Sequence, residues 1–197
     1  MSGQNRIRLV LGSGSPRRAQ LLRQLLIEFD QVVSSKAEPA ITDDDPGEQA
    51  VRCAQVKARA VRELLGPTAG QAIVIGADTM VVVDGRILGK PTDTADAQVM
   101  LRLLSGRSHT VCTGVCVLGP GVREQTDCVS TQVWMKPLAS EDIETYVASG
   151  EPMDKAGAYA IQGLGARFVE RISGCYYNVV GLPLARLTAM LSEAGYS

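Results

Sequence analysis

Residues 8–18 read Arg8-Leu9-Val10-Leu11-Gly12-Ser13-Gly14-Ser15-Pro16-Arg17-Arg18, and this stretch decides the fold class. With Ile7 before it, the apolar opening has the character of a short buried strand. Gly12 and Gly14 then open a turn. Ser15-Pro16 starts a helix, because serine caps free N–H groups and proline suits the first helical position. Leu21, Leu22, Leu25 and Leu26 continue it as one apolar stripe to Ile27. A strand passed through a glycine turn into a helix is how α/β chains begin. The same turn gathers free backbone N–H groups at the positive end of a helix dipole. Arg17 and Arg18 are unfavourable in a first helical turn unless an anion lies between them. Two readings follow, a phosphate site or a capped helix with solvated arginines. The stretch is not a Walker loop, since no Gly-Lys-Ser/Thr follows, and Arg17 stands where a dinucleotide fingerprint needs its third glycine.

Outward from it the alternation continues. Residues 29–34 read as a strand, 35–47 as a polar loop containing Thr42, Asp43, Asp44 and Asp45, and about 46–65 as a helix. That helix sets Ala50, Ala54, Ala58, Val61 and Leu65 along one side and ends at Gly66-Pro67. Residues 72–77 and 79–83 form an apolar run interrupted by Asp78, with Asp84-Gly85 as a hairpin turn before 86–88. Ala97, Met100, Leu101 and Leu104 follow helical spacing between a cap at Asp93 or Thr94 and a stop at Gly106. Residues 109–118 and 123–135 read as an antiparallel pair, 140–148 as a helix, 167–172 as a strand and 182–191 as a closing helix. No repeat or linker divides the chain. One domain over residues 1–197 is expected, with two lobes around a central cleft as a further expectation.

Several polar residues stand where the apolar pattern does not want them. Lys57 follows Ala54 by three residues and precedes Val61 by four, so it rises from the apolar side of its helix. An ammonium there needs a partner or must snorkel outward. Asp78 breaks the most strand-like stretch of the chain, and a buried carboxylate costs free energy unless it meets a cation or donors. The other reading is an aspartate in a turn between two strands. Lys90 follows beyond the hairpin in Leu88-Gly89-Lys90-Pro91. Glu38, in the polar loop, is placed to hold a hard cation such as Mg²⁺ together with Asp78, while Asp43 to Asp45 read as solvated. Gln162 lies in a small-residue segment, residues 154–163, as a reader of a base edge or as a surface amide. His109 reads as a strand residue without a catalytic part.

The 197 residues carry 20 Lys+Arg against 21 Asp+Glu, a formal charge of −1, which argues against a basic nucleic-acid binder or a polybasic membrane anchor. With 45% hydrophobic residues, disorder is excluded. One Trp and two Phe make no aromatic ladder for single strands. Five cysteines with no C-x-x-C pair read as reduced, small core residues, and the single histidine excludes an H-E-x-x-H zinc site. No signal peptide or membrane span is visible, so a cytoplasmic protein is expected.

Taken together, Ser13-Gly14-Ser15-Pro16-Arg17-Arg18, Ala77-Asp78-Thr79, Gly89-Lys90-Pro91, Leu104-Ser105-Gly106, Ser149 to Pro152, Asp154 to Tyr159, Ile161-Gln162-Gly163 and Val179 to Pro183 resemble the Maf family of nucleoside triphosphate pyrophosphatases, from about residue 9 to 191. The resemblance implies an α/β fold with a mixed, strongly curved central sheet and flanking helices, similar to inosine triphosphate pyrophosphatases, commonly as a homodimer. It implies a hydrolase acting on acid anhydrides, which splits a nucleotide between its α- and β-phosphates with a divalent cation, Mg²⁺ or Mn²⁺. Asp78 would be the proton acceptor for water, Ser13, Arg17, Lys57 and Lys90 would hold the triphosphate, and Glu38 would help with the cation.

Arg18, Thr79 and Gln162 match the branch of the family that looks like dTTP/UTP pyrophosphatases. The 7-methyl-GTP branch instead resembles S-P-W-R-R and S-D-Q, with Glu at the last place. A neutral amide both donates to and accepts from a uracil or thymine edge, whereas a glutamate only accepts. Gly12 and Cys175 depart from the usual family residues without touching an assigned role. The resemblance also implies links with arrest of cell division and removal of modified nucleotides. An enzyme and a nucleotide-responsive binding protein acting on a division partner both stay open, and Asp78→Asn separates them.

Overall fold

The structure, a computed structural model, describes residues 7–37, 39–40, 45–120 and 124–196. Its axis is strand β3 (Ala72–Val83), a single strand that runs straight through Asp78, so this aspartate is not in a turn. Side chains alternate across a strand, and β3 uses both faces. Ile73, Ile75 and Ala77 pack with Leu9 and Leu11 of β1 (Arg8–Leu11), with Leu22 of α1 (Pro16–Gln24), and with Leu184 and Leu187 of α6 (Leu184–Glu193). On the opposite face Ala72 and Val74 meet Ala54, Ala58 and Val61 of α2 (Pro46–Leu65).

The described residues form a seven-stranded mixed sheet. β2 (Asp30–Gln31) and β3 both run parallel to β1, while β5 (Ser108–Leu118), β6 (Glu124–Met135) and β7 (Val169–Ser173) follow antiparallel in turn. The hairpin strand β4 (Arg86–Leu88) pairs with the far end of β3. A second core joins α3 (Thr94–Leu104), α4 (Ser140–Ala148) and the 3-10 segments after α4. There Tyr146 and Phe168 meet edge to face, their centroids 5.0 Å apart.

Two glycines set how close α2 lies to the sheet. A methyl group at Gly76 would run into the Ala54 carbonyl, and one at Gly114 into the backbone at Ala50. The small face of α2 therefore lies almost on the strands. Asp45 caps this helix, its Oδ1 accepting from Gly47 N at 2.9 Å and Glu48 N at 3.1 Å, with Pro46 at the first position.

Some expected elements differ. α1 ends at Gln24, and Leu26 takes a left-handed backbone (φ 57°) with 90% of its surface exposed, because the chain must reverse to reach β2. The leucine stripe is therefore cut short. β2 is only two residues long. The closing helix starts at Leu184, after Gly181 at φ 122°, and a short helix α5 (Tyr176–Val180) precedes it where none was expected. Ser15 makes no side-chain cap; Ser13 Oγ instead accepts from Ser15 N at 3.2 Å.

Candidate active site

A gap in the sheet creates the site. β1 pairs with β3 only as far as Leu11 opposite Ile75, and β4 pairs only from Val81. Between these limits, the described residues leave 76–80 of β3 with no strand on that edge. Gly12 N makes a last bond to Ile75 O at 2.7 Å, and the chain then turns away through Ser13, Gly14 and Ser15 into α1. A cleft of about 700 Å³ opens at this place. Its walls include Ser13, Arg17, Arg18, Lys57, Asp78, Thr79, Lys90 and Gln162, residues drawn from both ends of the chain. Glu38 lies outside the described residues, as do Thr42, Asp43 and Asp44.

Asp78 points to the α2 side of the sheet. There Lys57 Nζ donates to Asp78 Oδ1 at 2.5 Å, with the two side chains 23% and 15% exposed. The ammonium therefore does not snorkel away from the apolar side of its helix. Thr79, the next residue, points to the other face. Arg18 meets it there, buried at 9% exposure, with Nη2 donating to Thr79 Oγ1 at 3.1 Å, Nη1 to Ser13 Oγ at 3.2 Å and Nε to Gly181 O at 2.8 Å. This arginine braces the turn, β3 and the chain after α5 against each other.

Arg17 leans across the cleft mouth, its Nη1 3.4 Å from Asp154 Oδ2. Lys155 Nζ donates to Asp154 Oδ1 at 2.5 Å and to Glu151 O at 2.6 Å. Burial pushes the Asp154 carboxyl upward, but Lys155 and Arg17 together hold it below the usual carboxylate range. Lys36, Asp154, Lys155 and Tyr159 also line the cleft, none of them assigned a site role from the sequence, although residues 154–159 belong to a motif quoted above. Among the described lining residues, six cations (Arg17, Arg18, Lys36, Lys57, Lys90 and Lys155) face two carboxylates, Asp78 and Asp154. Such a field attracts a polyanion.

Gln162 stands on the opposite wall in a segment pinned on both sides. Ala160 N donates to Tyr146 Oη at 3.3 Å, Leu164 N to Glu151 Oε2 at 3.0 Å and Gly165 N to Glu151 Oε1 at 3.1 Å, and Tyr146 Oη donates to the same Oε1 at 2.9 Å. Burial raises the Glu151 carboxyl, but these donors outweigh it and leave its pKa lowered. Tyr159 closes the floor, its hydroxyl 2.7 Å from His109 Nε2. Burial pushes the His109 imidazole down to about 4, so it is neutral at neutral pH.

An α/β protein with a cationic cleft cut into one edge of its central strand, and a lysine–carboxylate pair inside, is built for a phosphate-rich ligand. In fold it resembles the Ham1 protein of Staphylococcus aureus, with a TM-score of 0.51 over 94% of this chain and 98% of that one at 16% identity. Residues 8–194 match the Maf-like protein family, and the chain belongs to it. Its relatives include the dTTP/UTP pyrophosphatase of Symbiobacterium thermophilum, 53% identical over 95% of this chain and 94% of that one. The dTTP/UTP pyrophosphatase of Vibrio cholerae is 48% identical over 94% of this chain and 97% of its own length.

Proposed function

We propose that this protein is a nucleoside triphosphate pyrophosphatase that hydrolyses dTTP and UTP between the α- and β-phosphates, yielding the monophosphate and pyrophosphate. The observation that carries the reading is Asp78 on the open edge of β3, held by Lys57 and flanked by a cationic turn on one side and an amide-bearing segment on the other. The names of relatives about half identical over nearly the whole chain support the substrate.

Asp78 accepts the proton of the attacking water, and Lys57 holds its carboxylate in place. Arg17 and Lys90, with the backbone of the turn at Ser13 and Gly14, take the triphosphate and neutralise charge as the bond breaks. Lys155 extends the same cationic wall. Arg18 orients Ser13 and Thr79, and Thr79 and Gln162 face the base.

The residues fit a hard divalent cation. Such an ion is usually held by one or two carboxylates together with substrate phosphates, and Asp78 supplies that carboxylate in the cleft, with Glu38 as the second candidate. Among the described residues no group of three acidic, Cys or His side chains gathers, so the substrate phosphates would complete the ion's ligands. When bound, Mg²⁺ or Mn²⁺ neutralises the phosphate oxygens and polarises the bond to be cut.

Among the described residues no helix is long and apolar enough to cross a membrane. A single domain acting as a homodimer in the cytoplasm, with parts in cell division arrest and in clearing modified nucleotides, completes the proposal. The test is pyrophosphate release from dTTP, UTP, CTP, GTP and 7-methyl-GTP by the wild type and by Asp78→Asn. Turnover of dTTP and UTP that vanishes in the variant is expected. Preference for 7-methyl-GTP overturns the substrate, and turnover independent of Asp78 overturns the mechanism.

A further inference from the structure

The hydroxyl of Thr79 belongs to a chain of hydrogen bonds whose direction is dictated at both ends. At one end is Arg18, whose guanidinium only donates, with Nη2 3.1 Å from Thr79 Oγ1. At the other is the backbone carbonyl of Asn178, which only accepts, 3.0 Å from Thr113 Oγ1. Between them the hydroxyls of Thr79 and Thr113 lie 2.9 Å apart. Each hydroxyl owns one proton. The proton between Thr113 and the carbonyl is that of Thr113, so Thr113 must accept from Thr79. The proton of Thr79 is thereby used within the wall. Thr113 is fully buried and has no water to turn to. The Asn178 side chain is pinned as well, its Nδ2 donating to Val111 O at 2.9 Å and to Thr131 Oγ1 at 3.0 Å. Thr79, half-buried and lining the cleft, therefore meets a ligand with a lone pair and no proton.

We infer that Thr113 is a positioning residue for base recognition. Acting through Thr79, it makes that wall an acceptor, so the ligand group seated against it must be a hydrogen-bond donor. This rests on the pyrimidine nucleotide reading above and deepens it. Uracil and thymine carry a ring N–H at N3. Cytosine presents a lone pair at the same position, which would face the lone pair of Thr79 with no proton between them. The Gln162 amide, able to donate and accept, remains for the base carbonyls. Discrimination of this kind works by leaving polar groups unpaired with the wrong base.

The test compares kcat/KM for UTP, dTTP and CTP in the wild type, Thr113→Val and Thr113→Ser. Valine keeps the shape of Thr113 but cannot accept, so the Thr79 hydroxyl is free to turn its proton into the cleft. The Asn178 carbonyl retains Gly181 N at 3.0 Å, so the loss does not orphan it. The UTP to CTP ratio is expected to fall roughly ten-fold in Thr113→Val and to return in Thr113→Ser. A parallel drop on all three substrates, with the ratio unchanged, overturns the inference as merely structural. A change confined to the UTP to dTTP ratio overturns it too, because the hydroxyl then faces the sugar. Should Thr113→Val not fold, Thr79→Val removes the acceptor directly and must lower turnover of UTP with little effect on CTP; an unaltered ratio there also overturns the inference. A wild type inactive on both UTP and dTTP would instead sink the function itself.

Discussion

Lys57 and Asp78 meet where helix and sheet lie close together, Nζ 2.5 Å from Oδ1, one residue on α2 and the other on the unpaired edge of β3. The pair exists because Gly76 and Gly114 let the alanine face of α2 settle onto the strands. A cation and a carboxylate held this way act as a unit. Asp78→Asn should lower kcat on UTP by about 10²–10⁴-fold with nucleotide binding retained. Lys57→Met should lower kcat as well, and the double variant should be little worse than Asp78→Asn alone. Steady-state pyrophosphate release from the three variants measures this, and additive losses would show that the two side chains work separately.

Gln162 tests the proposed reading of the base. Gln162→Glu replaces an amide that donates and accepts with a carboxylate that only accepts, so kcat/KM for UTP and dTTP should fall about 10–100-fold. The melting temperature should hardly change, because Glu151 and Tyr146 fix the backbone on either side of position 162. Equal activity on UTP in this variant would remove Gln162 from the site.

Gly76→Ala probes the packing beneath the pair. The new methyl must displace the Ala54 carbonyl, so α2 has to lift from β3. Overpacking of this kind should cost about 3 kcal/mol in urea-induced unfolding and lower kcat through the Lys57–Asp78 separation. Gly70→Ala, at a position with open space around the Cβ, is the control and should leave both unchanged.

His109 gives the pH dependence of stability a recognisable part. Its folded value of about 4 lies below the ordinary 6.5, so between these values the unfolded chain binds a proton that the folded chain refuses. Stability is therefore full above about pH 6.5 and is lost as pH falls toward 4, with about 2 kcal/mol gone between pH 7.5 and 5. Because the chain has one histidine, His109→Gln should flatten that window in urea titrations at the two pH values. An unchanged slope would place the loss on other groups.

Much of this was legible in the sequence, and particular residues show why. The helix over Pro46–Leu65 was marked by its proline start, its alanine stripe and the Gly66-Pro67 end, all of which are local signals. The Gly12 to Arg18 segment was legible as a turn from a strand into a helix for the same reason, since composition and order within one turn carry it. Lys57 and Asp78 stood out as polar residues in apolar positions. Leu26, by contrast, continued a leucine stripe that the chain abandons to reach β2, and no local pattern announces a reversal set by a distant strand. Nor did the small-residue segment single out Asp154, which enters the site only because the fold brings it across 137 residues to Arg17.

The sequence by itself determined the alternation of strands and helices, the family, and which residues are too polar for their places, because periodicity, capping and burial cost act within a few residues of each other. Only the tertiary structure decided that β1 and β4 stop short of each other along β3, leaving Asp78 and Thr79 on an open edge. It alone turned Arg18, Thr79, Thr113 and Asn178 into one directed chain of hydrogen bonds. Strand register and hydrogen-bond direction depend on groups as far apart as Arg18 and Gly181, 163 residues along the chain, and no local pattern encodes a contact over that separation.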